Sequence, residues 1–118
     1  MIPVKLIHNL SKEARFQIIE ILLANRSNKE LAIQLGISPS SITKYLNREM
    51  HPSDKVVEKC LTIADQNERE EIVEVILQDV IKPLTEFLES LDHRRVPEAL
   101  VRLKKKLEGL DFKALGES

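Results

Sequence analysis

The 118-residue sequence has no tryptophan, three glycines, one cysteine and only 3% aromatic residues. Each shortage excludes something. With so few aromatics the core must come from Leu, Ile and Val, as in packed helices. With little glycine and many strong helix formers, β-strands are hard to place. Cys60, the single cysteine, forms no internal disulfide and reads as a small buried apolar residue. No apolar run approaches the roughly 18 residues that a membrane span needs. Met1 to Leu10 is mildly apolar but has neither a charged leading region nor a cleavage site. These absences predict a soluble, cytoplasmic protein with no membrane partner.

Catalytic apparatus is missing as well. His8, His51 and His93 lie far apart, with no metal-ligand spacing. There is no Cys–His set, no Gly-rich phosphate loop and no carboxylate pair beyond surface glutamates. Glu68, Glu70, Glu71 and Glu74 read as acidic bias at a helix start. The expectation is no enzyme, no metal and no cofactor. No polar cluster among apolar residues marks an effector pocket.

What is present is an uneven charge. Net charge is −1. Residues 1–51 carry seven Lys/Arg against four Asp/Glu, residues 52–92 four against eleven, and residues 93–118 seven against four. A basic N-terminal third, an acidic middle and a basic end predict different partners for different segments. An acidic surface cannot face DNA.

Hydrophobic periodicity places helices throughout. Ser11 starts a first one, with Ala14, Phe16, Ile18, Ile19, Ile21, Leu22 and Leu23 on its apolar stripe; it ends near Asn25. A second runs from about Asn28 to Leu35 and stops at Gly36, since glycine accepts a left-handed turn. A third starts at Ser38-Pro39, a serine cap followed by a proline whose missing N–H costs nothing at the first helical position. It ends near Arg48. Pro52-Ser53-Asp54 opens a fourth, with Val56, Val57, Cys60, Leu61 and Ala64 inward. From Glu68 to Leu91, the residues Val73, Leu77, Val80, Leu84, Phe87 and Leu91 recur at steps of four and three, a heptad seam that Ile72, Ile76, Ile81 and Leu88 broaden. Pro83 should kink or interrupt this helix near Lys82. A last helix, signalled by Val96-Pro97-Glu98, runs to about Leu110 with Leu100, Leu103, Leu107 and Leu110 on one face. The tail after Asp111 should fray. Lys104-Lys105-Lys106 reads as a solvated face.

The second and third helices form a helix-turn-helix pattern with a steric reason at each position. Ala32 must be small where the next helix crosses it. Gly36 makes the turn. Leu31, Leu35, Ile37, Ile42 and Tyr45 fill the wedge between helices. The stretch from Lys29 to Leu46, KELAIQLGISPSSITKYL, resembles the helix-turn-helix of phage-repressor, Cro-like (XRE-type) transcriptional regulators. Asn47 to Ser53 is similar to that family's loop into a Pro-Ser-started helix. Asn28 stands where the family often has Gln, and Asn47-Arg48-Glu49 where it often has Glu–X–Gly.

The resemblance, which covers about residues 10–65, implies a four-helix DNA-binding domain over 1–65; the heptad seam and the leucine face that follow it predict a helical dimerisation region over 66–118, so the whole fold is expected to be all-α. The resemblance implies sequence-specific binding of double-stranded DNA by a homodimer, with the helix from about Ser38 to Arg48 in the major groove. Base contacts would come from Pro39, Ser40, Thr43 and Lys44. Phosphate contacts would come from Arg26, Ser27, Asn28, Lys29, Asn47, Arg48 and Lys55. The dimer would use Val73, Leu77, Val80, Leu84, Phe87 and Leu91, with Leu100, Leu103 and Leu107. Two other classes fit the same fold: a protein-interaction adaptor or antitoxin, and a DNA-binding accessory of recombination or replication.

Overall fold

The computed structural model describes residues 2–91 and 97–110. Val96, His93 and the tail after residue 110 lie outside them. The described residues form seven α-helices and no strand: α1 Val4–His8, α2 Lys12–Leu23, α3 Asn28–Leu35, α4 Pro39–Leu46, α5 Asp54–Ile63, α6 Gln66–Ser90 and α7 Glu98–Glu108. The chain divides into two compact units, Met1–Glu86 and Phe87–Ser118.

Four serines start four of the helices. The hydroxyls of Ser11, Ser27, Ser38 and Ser53 accept from the amides of Ala14, Glu30, Ser41 and Val56. Each satisfies a donor that the helix itself leaves open, worth roughly 1 kcal/mol. α6 uses a reciprocal cap instead: Glu68 N donates to Asp65 Oδ1 at 2.8 Å, and Asp65 N donates to Glu68 Oε1 at 3.0 Å. This box begins the helix two residues before Glu68, where the heptad pattern starts.

The core of the first unit is aliphatic. Ile18, Ile19 and Leu22 of α2, Leu31, Ala32 and Leu35 of α3, Ile42 and Tyr45 of α4, and Val57 and Cys60 of α5 are all buried. Each fully buried Leu or Ile contributes about 1.5–3 kcal/mol over exposure. Ala32 is fully buried and Gly36 adopts φ 70°, so the small residue and the left-handed turn fall where the helix crossing requires them. Burial in these apolar surroundings pushes the Cys60 thiol up to about 12, so it stays a neutral packing group.

Three features depart from expectation. The first is α1, which the mild apolarity of residues 1–10 did not announce. It is held by Arg15, a buried residue of α2 whose guanidinium donates to the carbonyls of Ile7, His8, Leu10 and Pro52 and to Asp54 Oδ1 at 2.7 Å. Asp54 also meets His8 Nδ1 at 2.8 Å. The His8 contact and then the Arg15 bond hold its carboxyl below the usual range. The second is Ile72 and Ile76. They are buried in the N-terminal core and do not broaden the outer seam of α6. The third is Pro83, which does not interrupt α6: the helix runs on to Ser90. Proline removes one backbone bond, and the strong helix formers around it, such as Leu84, Glu86 and Leu88, carry the helix through.

In the second unit, α7 has no buried residue: Leu103, Leu107 and Leu110 are exposed and Leu100 is half-buried. Pairs between Glu98 and Arg102 at 3.4 Å and between Lys104 and Glu108 at 3.9 Å lace its polar side.

Candidate nucleic-acid interface

α3 and α4 meet at the Gly36 turn, where Ile37 N donates to the Ala32 carbonyl at 2.9 Å. Ile42 and Tyr45 anchor α4 by their burial. Those two anchors fix which side of α4 faces out. Ser40, Thr43, Lys44 and Asn47, spaced three, four and seven residues apart, are exposed together, with Pro39 at the leading end. This row offers two hydroxyls, an ammonium and an amide, donors and acceptors of the kind that read base edges. Ser40 Oγ meets the capping Ser38 Oγ at 2.9 Å, and Thr43 Oγ1 lies 3.4 Å from the Pro39 carbonyl, so both hydroxyls are already oriented.

Ser27, Asn28 and Lys29 stand exposed at the start of α3. There the first-turn amides and the helix dipole favour an anion. Ser27 Oγ caps the Glu30 amide and donates to Glu30 Oε1 at 3.2 Å.

Two of the arginines expected at phosphate are engaged elsewhere. Arg26, adjacent to Ser27, turns inward. Its guanidinium donates to Glu68 Oε1 at 3.0 Å, to the Leu22 carbonyl at 2.9 Å and to Gln34 Oε1 at 2.6 Å. The Arg26 and Glu68 side chains are only 12% and 2% exposed, so this is a buried ion pair rather than a cation offered to DNA. The Arg26 hydrogen bonds, then the Asp65 amide and the Asn25 amide, hold the Glu68 carboxyl down to about 2. The same partner raises Arg26 above its ordinary value. Nothing in local sequence pairs two residues 42 positions apart, which is why Arg26 read as a surface charge.

Arg48 is the second. It takes φ 61° and is the only non-glycine residue with positive φ among those described. Its guanidinium lies over the Phe16 ring, 4.3 Å from the centroid, and pairs with Glu20 at 3.2 Å and Glu13 at 3.5 Å. It fastens the end of α4 to α2.

Lys55 opens onto a cavity of about 630 Å³ shared with His8, Lys12, His51 and Asp54, beside the Arg15 hub. Lys59 was not anticipated. A methyl on Gly36 would sit 3.9 Å from its ammonium, which therefore lies beside the helix-turn-helix corner. Its position in α5, one turn past Lys55, was the available signal.

Of the predicted dimer residues in the first unit, Leu77 is 47% exposed, Val73 and Val80 are also exposed and Leu84 is half-buried; in the second unit Phe87 is 59% exposed and Leu91, just past α6, is half-buried. Among the described residues, no group of three or more His, Cys, Asp or Glu side chains is placed to hold a metal. No helix among the described residues is long and apolar enough to cross a membrane.

Residues 18–64 match the helix-turn-helix family model. That span runs from within α2 through α5 and contains the Gly36 turn, the cap of α4 and its exposed row. No curated protein and no solved structure gives a significant match to the chain.

Proposed function

We propose that this Cro-like (XRE-type) helix-turn-helix protein binds double-stranded DNA sequence-specifically as a homodimeric transcriptional regulator. The observation that carries the reading is the row Ser40, Thr43, Lys44 and Asn47, aligned on the outer side of a helix whose inner side is locked by Ile42 and Tyr45. In the major groove Lys44 reaches guanine O6 and N7, while Ser40 and Thr43 bond base edges and the Thr43 methyl meets thymine. The α3 start, with Ser27, Asn28 and Lys29, holds the adjacent phosphate. Asn47, at the end of α4, meets backbone. Lys55 and Lys59 add positive potential from α5.

One such module buries too little surface to bind tightly, and symmetric dimers engage half-sites about 34 Å apart. The exposed Val73, Leu77, Val80 and Phe87 row supports pairing of two copies through α6. Leu100, Leu103 and Leu107 of α7 add apolar surface to the same task.

The test is a mobility-shift titration of the full chain against random duplexes and duplexes from upstream of its own gene, with the oligomeric state read by sedimentation. The reading expects a saturable shift below micromolar protein, with a dimer in the complex. Leu77→Lys, on an exposed position, should give a folded monomer of weaker affinity. No shift at low salt would transfer the α4 surface to a protein partner.

A further inference from the structure

α6 is two-faced in a way the heptad pattern alone conceals. Glu68, Ile72, Ile76 and Asp79 lie at steps of four, four and three, so they share one side of the helix. All four are tied to the α1–α5 core. Glu68 is paired with Arg26, Ile72 and Ile76 are buried, and Asp79 accepts from Ser11 N at 2.9 Å and from Ser11 Oγ at 2.5 Å. Leu77, Val80 and Leu84 belong to a separate side, while Val73, between the two, lines a groove with Ile2, Val4, Ile7 and Leu61. α6 is therefore clasped at two points about 16 Å apart along its axis, at the rise of an α-helix. One clasp leads directly into the start of α3: Arg26 precedes the capping Ser27 and bonds Gln34 of α3. The other caps the start of α2.

We infer that Glu68 and Asp79 are positioning residues that make α6 a rigid splint, fixing the direction of each recognition helix relative to the dimer axis and so the spacing of half-sites the protein accepts. This rests on the proposed dimeric DNA-binding reading. A helix joined at one point could swing about it. Two clasps with two buried isoleucines between them remove that freedom. The Arg26 hydrogen bonds outweigh the burial of Glu68 and keep its carboxyl charged on the clasp at neutral pH.

Asp79→Ala loosens the splint without opening the core, because the Asp79 contacts are at the surface and Ser11 keeps its own bond to the Ala14 amide. The experiment uses the full chain. A bound duplex is first selected from a random-sequence pool, and inserts of two and five base pairs are then placed between its half-sites. Asp79→Ala and, as a second variant, Glu68→Gln are compared with the parent for folding, for sedimentation and for binding to the three duplexes. The parent should lose tenfold or more in affinity on the five-base-pair insert, which turns one half-site to the opposite side of the DNA. Both variants should remain folded dimers and lose threefold or less. A variant as sensitive to spacing as the parent overturns the splint and leaves the dimeric reading intact. A parent that binds no duplex, or binds as a monomer indifferent to spacing, overturns that reading and the inference with it.

Discussion

Removing the Glu68 carboxylate should cost more stability than any surface charge in this protein. The Glu68 side chain is 2% exposed, and it accepts from Arg26, Asn25 and the Asp65 amide. Glu68→Ala strands the Arg26 guanidinium in a dry site and also removes half of the α6 capping box. Breaking one partner of a buried pair costs about 3–5 kcal/mol. Glu68→Gln keeps an acceptor at Oε1 for Arg26 and the Asp65 amide, but it loses the charge and the second acceptor, which Arg26 and Asn25 share. Charge-assisted bonds contribute about 1.5–3 kcal/mol against roughly 1 kcal/mol for neutral ones, so this variant should lose about 2 kcal/mol. The double change Arg26→Met with Glu68→Leu should recover most of the loss, since apolar replacement of a buried pair is often neutral.

The pH dependence has a definite sign. The folded carboxyl is depressed to about 2, so its contribution is fully present above the ordinary glutamate range near 4.3. It fades as pH falls from there toward 2, where the folded state also takes up the proton. Urea unfolding at neutral pH and at pH 3 checks both points. The parent should lose stability between those conditions, and the double variant should lose less. A Glu68→Ala cost below about 1 kcal/mol, in the range of exposed pairs, would refute the buried-pair account.

Three smaller expectations follow from backbone geometry. Arg48 sits at φ 61°, which costs a non-glycine residue about 1–2 kcal/mol. Arg48→Gly sheds that strain along with the Phe16 contact, so in thermal unfolding it should be more stable than Arg48→Ala by about 1 kcal/mol. Gly36→Ala meets no steric obstacle, as the nearest atom to the added methyl is the end of the Lys59 side chain at 3.9 Å. The cost should be the left-handed strain alone, about 1–2 kcal/mol, seen as a lower unfolding midpoint with an unchanged denaturant slope. Pro83→Ala restores a donor within α6 and should raise both the helical circular-dichroism signal and the melting temperature, by up to about 3 kcal/mol of helix stability.

The helix-turn-helix was legible because its signals are local. Ala32, Gly36, Ser38-Pro39 and the apolar positions of α3 and α4 each dictate a nearby backbone state or crossing. The exposed row on α4 follows from the same periodicity. What the sequence concealed depends on distance along the chain. α1 is held by Arg15, whose acceptors reach to Pro52 and Asp54. Arg26 turns inward for Glu68, 42 residues away. The periodicity of residues 68–91 marked a helix, but Ile72 and Ile76 belong to its buried side, because a helix can bury one stripe and expose another with the same period. Arg48 takes the left-handed turn after α4, and its contact with Phe16 across two helices has no local cue.

The central claim, that α4 reads bases while the α3 start holds phosphate, is tested most directly by a pair of alanine variants. Lys44→Ala and Lys29→Ala are each titrated against the selected duplex, single-base variants of it and random DNA, at two salt concentrations. Lys44→Ala should flatten the preference at one base position. Lys29→Ala should weaken every duplex by a similar factor and reduce the log–log salt slope by about 0.9. Equal, sequence-independent losses in both variants, or a base preference untouched by Lys44→Ala, would contradict the assignment of α4 as the reading helix.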